Sequence, residues 1–148
     1  MTVFLDFDGV FTTETSWATR EDRIDPTAFA WLAQLFHRHH CQIVVTSTWR
    51  SGHSMGELRQ ILAPLETRVI GVTPVLSNRG EEIISWLAEH PSGNKYLVID
   101  DEVSEIRPYI DDDHIVHVKN GFNGKGFGQE HLDRAEQLIT LWSAQSEL

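Results

Sequence analysis

Short apolar runs alternate with amphipathic stretches along the whole chain. Val3-Phe4-Leu5 lies in an expected buried strand over residues 2 to 7, and 42 to 46, 68 to 72, 96 to 99 and 115 to 118 repeat that pattern. Between these runs the spacing becomes helical. Asp25 as N-cap and Pro26 at the first position predict a helix over 26 to 39, with Phe29, Leu32, Leu35 and Phe36 near one another at three- and four-residue spacings. Residues 54 to 62 predict a second helix, stopped before Pro64. A third spans 78 to 90 with Ile83, Ile84 and Leu87 inward, and a fourth 128 to 144. Apolar runs bounded by helices mark strands covered on both faces. The expected fold is therefore α/β and doubly wound, a mostly parallel sheet of about five strands in which ligands bind beyond the carboxyl ends of the strands.

With 148 residues and no internal repeat or linker, the chain is expected to form one domain over 1 to 148. Its formal charge of -10, from 22 acidic and 12 basic residues, argues against non-specific adhesion to nucleic acid or anionic membranes. A phosphate-bearing substrate stays open, because a local cluster of arginines attracts an anion even on an acidic background. The single cysteine, Cys41, excludes an internal disulfide and fits a reducing compartment. No apolar stretch approaches the roughly 20 residues that span a bilayer, and the first strand begins without a signal segment. The expectation is a cytoplasmic protein without membrane partners, a monomer or small homo-oligomer.

The chemistry is concentrated at strand ends. Alternation along an extended chain points Asp6 and Asp8 to the same side, and Gly9 lets the backbone turn directly afterwards. Thr46 and Ser47 follow the second strand, and Asp100 and Asp101 the fourth. Four carboxylates expected around one point call for a hard cation. Without a spaced His/Cys set, oxygen-coordinated Mg²⁺ is favoured over zinc, and magnesium in turn suggests a phosphate.

These residues resemble the haloacid dehalogenase-like (HAD) superfamily through VFLDFDGVF at the start, a Ser/Thr after strand two, a basic residue, and YLVIDDE. TSTWR at 46 to 50 and NRGEEIISWL at 78 to 87 are similar to the small HAD domains of RNA repair proteins and their free-standing relatives. The resemblance implies that Asp6 is a nucleophile forming an aspartyl-phosphate, and that Asp8 is the acid and then the base. The Asp8 backbone carbonyl would help Asp6 and Asp101 hold Mg²⁺, with Asp100 beside them. Thr46, or Ser47 one residue on, would donate to the phosphoryl group, and Arg79 would replace the usual lysine. The stretch between Asp8 and Thr46 leaves room for a flap at about 10 to 24, not a cap domain. An open, capless site suits a bulky phosphoester such as a nucleotide, a nucleic-acid end or a phosphoprotein, or a second subunit acting as lid. Flap residues Trp17 and Arg20 would then touch substrate.

Trp49 and Arg50 are expected on the rim of the crevice, contributing to substrate binding with Ser47 and Gly9. His37, His39 and His40 sit at a helix end, where partly cationic rings complement the dipole. Asp111-Asp112-Asp113 reads as a solvated turn, and 120 to 126 as a flexible turn without a P-loop pattern. Two rivals to a phosphatase are a receiver-like phosphoacceptor module and a catalytically idle binding relative. In a receiver the acid pair and the acceptor aspartate lie on different strands, whereas here DxDG falls on one, and retention of both Asp6 and Asp8 speaks against an idle relative.

Overall fold

The computed structural model describes residues 1–93 and 95–146. Strands β1 (Thr2–Leu5), β2 (Gln42–Val45), β3 (Val69–Val72), β4 (Tyr96–Asp100) and β5 (Ile115–His117) form one all-parallel sheet ordered β3-β2-β1-β4-β5. Helices α1 (Glu14–Thr19), α2 (Pro26–Arg38), α3 (Met55–Ile61), α4 (Arg79–Glu89) and α5 (Gln129–Ser146) complete the expected α/β, doubly wound architecture, without a large cap. Phe4 lies opposite both Val44 and Val98 at the centre of the sheet. The strand order reverses between β1 and β4, so their carboxyl ends flank the switch-point crevice.

Side-chain alternation divides the core into two. Val3, Leu5, Ile43, Val45, Leu97 and Ile99 pack towards Leu32 and Phe36 of α2 and Leu132 of α5. Phe4, Val44 and Val98 face the other way, against Ile83 of α4 and Val103, Ile106 and Ile110. Each face is sealed, which is why these strands read as continuous apolar runs.

Three local differences from the sequence reading have physical causes. The flap contains helix α1, closed by a capping box in which Thr13 and Ser16 satisfy each other's backbone N–H groups. β1 stops at Leu5 because the Phe7 carbonyl turns back to accept from the N–H groups of Val10, Phe11 and Thr12. On α4, Ile84 points outward with 40% of its surface exposed, while Ile83 is buried and Trp86 packs against the sheet. Gly71 on β3 makes the space for that indole: a Cβ there would lie 2.6 Å from Trp86 Cη2. Among the described residues no helix is long and apolar enough to cross a membrane.

Candidate active site

The Asp6 N–H donates to the Ile99 carbonyl (3.1 Å), so this residue continues the β1–β4 register one step past the strand. The chain then folds into the tight turn on the Phe7 carbonyl. Gly9 lies within it at φ 82°, a left-handed conformation that favours glycine. The missing side chain also makes room, because a Cβ at Gly9 would collide with the Asp101 carboxylate. Asp6, Asp100 and Asp101 consequently bring carboxylate oxygens within 4.8 Å of one another.

Asp8 does not join them, which corrects the expectation of four converging carboxylates. Its Oδ1 accepts from the Thr12 hydroxyl (2.7 Å), the Trp17 indole N–H (3.2 Å) and the Trp49 indole N–H (3.1 Å). Trp49 Nε1 is also 3.1 Å from Oδ2, which has no other protein donor among the described residues. The strand alternation holds as far as Asp6, and the turn redirects the next carboxylate towards the flap. Thr12 joins the flap's two ends through bridges to Asp8 and Ile24. Helix α1 brings Trp17 over the same carboxylate, and the two indoles meet edge to face at 6.0 Å. The Thr12 contribution has no signature in the sequence.

Asp6 and Asp100 are buried, Asp101 is half-buried, and the cluster is under-neutralised. Arg79, the first residue of α4, places Nη1 2.7 Å from Asp100 Oδ2 and 3.5 Å from Asp6 Oδ1. Burial and the Asp100 charge push the Asp6 carboxyl well above its ordinary range despite Arg79. Burial likewise pushes Asp100 up to about 6, against the pull of Arg79. For Arg79 itself, burial disfavours the cation, but Asp100, Asp6 and Glu82 outweigh it and its pKa is raised.

At the end of β2 the Thr46 hydroxyl is buried without a hydrogen-bond partner. Ser47 Oγ instead accepts from the Trp49 N–H (3.2 Å) and caps the short turn Thr48–Ser51. Three carboxylates against one guanidinium, an all-oxygen donor set and an orphaned buried hydroxyl fit a hard divalent cation with a bound anion.

The raised carboxyl groups set a pH dependence. The native state keeps protons that the unfolded chain, with ordinary Asp near 3.9, has already released. This contribution to stability is therefore complete below about pH 4 and is lost as pH rises through about 6, the native Asp100 value. A divalent cation held by these carboxylates would bind their deprotonated form, so added Mg²⁺ is expected to raise the melting temperature by several degrees at pH 8 and hardly at all at pH 5. Calorimetric scans with Mg²⁺ and with chelator at the two pH values test this, and equal shifts would contradict it.

Arg50 is not on the rim. Only 5% of its side chain is exposed, and its guanidinium donates to the carbonyls of Thr46 (2.6 Å), Ser47 (2.8 Å) and Thr73 (3.1 Å) and to Glu82 (2.7 Å). Burial lowers its pKa, with Glu82 opposing. Arg50 thus ties the ends of β2 and β3 to α4. Glu82, absent from the sequence reading, is its buried counter-charge, and also accepts from the Leu76 N–H (3.0 Å) and pairs with Arg79 at 3.4 Å. The spacing Arg79 to Glu82, three residues apart on one helix, was the available signal.

Trp49 does reach the site, stacked on His53 with 5.3 Å between ring centroids. Arg20 is exposed and paired with Asp22 (3.1 Å). His39 sits 2.9 Å from Glu136 on α5 and belongs to no metal cluster among the described residues. The 120 to 126 loop packs against the turn that follows Asp6: the Glu14 N–H donates to the Phe122 carbonyl (2.7 Å), and a side chain at Gly121 would strike the Gly9 carbonyl.

The model of one protein family, described as the HAD domain in Swiss Army Knife RNA repair proteins, matches residues 2–131. No curated protein and no solved structure matches the chain.

Proposed function

Since the chain belongs to the family of HAD domains found in Swiss Army Knife RNA repair proteins, we propose that it hydrolyses phosphomonoesters through an aspartyl-phosphate on Asp6. The observation that carries this reading is the pairing of a carboxylate triad, buried Asp6 and Asp100 with half-buried Asp101, with a separately held carboxyl, Asp8. Hydrolysis in two steps needs both a nucleophile and a distinct proton carrier.

The Asp6 carboxylate oxygen attacks phosphorus, and the bond from phosphorus to the leaving oxygen breaks. The leaving oxygen takes its proton from Asp8, at Oδ2, the oxygen with fewer donors. The charge left behind is received by Thr12, Trp17 and Trp49, already aimed at that carboxylate. Water then attacks phosphorus, Asp8 takes the water's proton, and the phosphorus–Asp6 bond breaks to release inorganic phosphate. The Thr46 hydroxyl supplies a donor to the phosphoryl oxygens, and Arg79 a positive charge beside Asp6. Mg²⁺, held by Asp6, Asp101, Asp100 and the Asp8 carbonyl, would offset the repulsion between carboxylate and phosphoryl group. Substrates are phosphoesters with a bulky leaving group, such as nucleotides.

The test is hydrolysis of p-nitrophenyl phosphate with and without Mg²⁺. Metal-dependent turnover supports the proposal. Stoichiometric labelling by acetyl phosphate without turnover would replace it with a phosphoacceptor module.

The indole donors give a sharper expectation. Trp49→Phe keeps an aromatic ring, though a smaller one, and removes the N–H, so Asp8 loses a positioning contact. Its kcat/KM is expected to fall roughly 10-fold to 100-fold on an alkyl phosphate, whose leaving oxygen needs the proton, and markedly less on p-nitrophenyl phosphate. Equal losses on both esters would reduce Trp49 to a packing role.

A further inference from the structure

Asp8 has a second environment. Beyond its carboxylate opens a cleft of about 990 Å³, lined by the rings of Trp17, Trp49 and His53 and by the aliphatic side chains of Ile24, Ile61 and Ala63. Asp8 alone of the site's four carboxylates lines this cleft, while Asp6, Asp100, Asp101 and Arg79 lie outside it. A group leaving from phosphorus must meet the proton carrier, so the cleft is where that group sits. Its volume is at the upper end of the range for small-molecule sites.

The charges around the cleft restrict what can sit there. Glu21, Asp22 and Glu57 line it, and all three are exposed. Asp22 is paired with Arg20 at 3.1 Å, which leaves Glu21 and Glu57 facing the one arginine of the lining, Arg23, whose guanidinium carbon lies over the Trp17 ring at 3.8 Å from its centroid. His53 directs Nδ1 back to the Trp49 carbonyl at 2.9 Å. Phosphate chemistry proper is served by Arg79, which is tied to Asp100 outside the cleft. A leaving group bearing further phosphates would run along carboxylates within a Debye length of about 8 Å. An uncharged planar or apolar group meets indole, imidazole and aliphatic walls instead.

We infer that the cleft selects phosphomonoesters whose leaving group is bulky, largely apolar or planar, and free of additional negative charge, as the nucleoside of a mononucleotide is and a nucleic-acid strand is not. This deepens the phosphomonoesterase reading and rests on it for the position of phosphorus.

The experiment compares a nucleoside 3′-monophosphate with the same nucleotide as the 3′-phosphate of an oligonucleotide of about ten residues, across salt from about 20 to about 300 mM. The expected kcat/KM favours the mononucleotide by roughly tenfold or more at low salt, and the gap narrows as salt rises because only the polymer is repelled. The double variant Glu21→Gln, Glu57→Gln is expected to shrink the low-salt ratio several-fold. Glutamine at 57 keeps an acceptor for the Ser54 N–H that Glu57 caps. Equal or preferred use of the oligonucleotide, falling with salt, would overturn the inference.

A parallel binding measurement does not depend on turnover. Quenching of tryptophan fluorescence in Asp6→Asn by the mononucleotide, with at least tenfold weaker response to the oligonucleotide, supports the cleft assignment; the reverse order defeats it. Absent turnover on p-nitrophenyl phosphate would instead strike the phosphomonoesterase reading, whichever ligand binds.

Discussion

Asp6→Asn is expected to abolish turnover, by on the order of 10³-fold or more, while making the metal-free protein more stable at pH 8. The two effects share one cause. Burial and the neighbouring Asp100 charge disfavour the Asp6 anion, and a residue ionised at such a place costs the fold stability that a neutral amide of the same shape restores. Below about pH 4 the gain is expected to vanish, because the wild-type carboxyl is then protonated in both the folded and unfolded states. Denaturant titrations of both proteins at pH 4 and pH 8, in chelator, measure it. A variant inactive and yet more stable cannot owe its inactivity to unfolding. Asp8→Asn provides the complement: with p-nitrophenyl phosphate, whose leaving group needs no proton, the phosphoenzyme forms and its hydrolysis stalls, so covalent phosphate accumulates on the protein. Failure of both variants to alter turnover would remove the aspartyl-phosphate mechanism.

Asp6, Asp100 and Asp101 were legible because they depend only on where strands end, and apolar runs mark strand ends well. The all-parallel sheet followed from the same runs. What eluded the sequence depends on contacts between distant residues. The direction of Asp8 is set by a turn closing on the Phe7 carbonyl, and alternation along an extended strand no longer applies there. Its donors come from the flap and from the end of β2, 41 residues away in the case of Trp49. Arg50 offered a chemically sound cation near the strand end, yet its actual partner, Glu82, lies 32 residues along the chain. Ile84 was assigned to the core by helical spacing, which fixes a stripe's width but not its rotation; the absent side chain at Gly71 admits Trp86 and sets that rotation.

Arg50→Met is expected to destabilise the fold by about 3 to 5 kcal/mol, because it leaves Glu82 buried with its closest charge partner removed and the carbonyls of Thr46, Ser47 and Thr73 without their shared donor. For a domain of this size that corresponds to a fall in melting temperature of roughly 6 to 20 °C. Adding Glu82→Gln removes the stranded charge, so the double variant should recover part of the loss, and the recovery measures the coupling between the two side chains. The catalytic consequence should be selective. Thr46 is positioned by a backbone that Arg50 holds at the Thr46 carbonyl (2.6 Å), so kcat is expected to fall while KM for small aryl phosphates changes little. Unchanged stability with a large rise in KM would show instead that Arg50 releases its carbonyls to grip substrate. The balance favours the strut: a guanidinium with 5% of its side chain exposed and four partners within 3.1 Å has to break more bonds than one phosphate can replace.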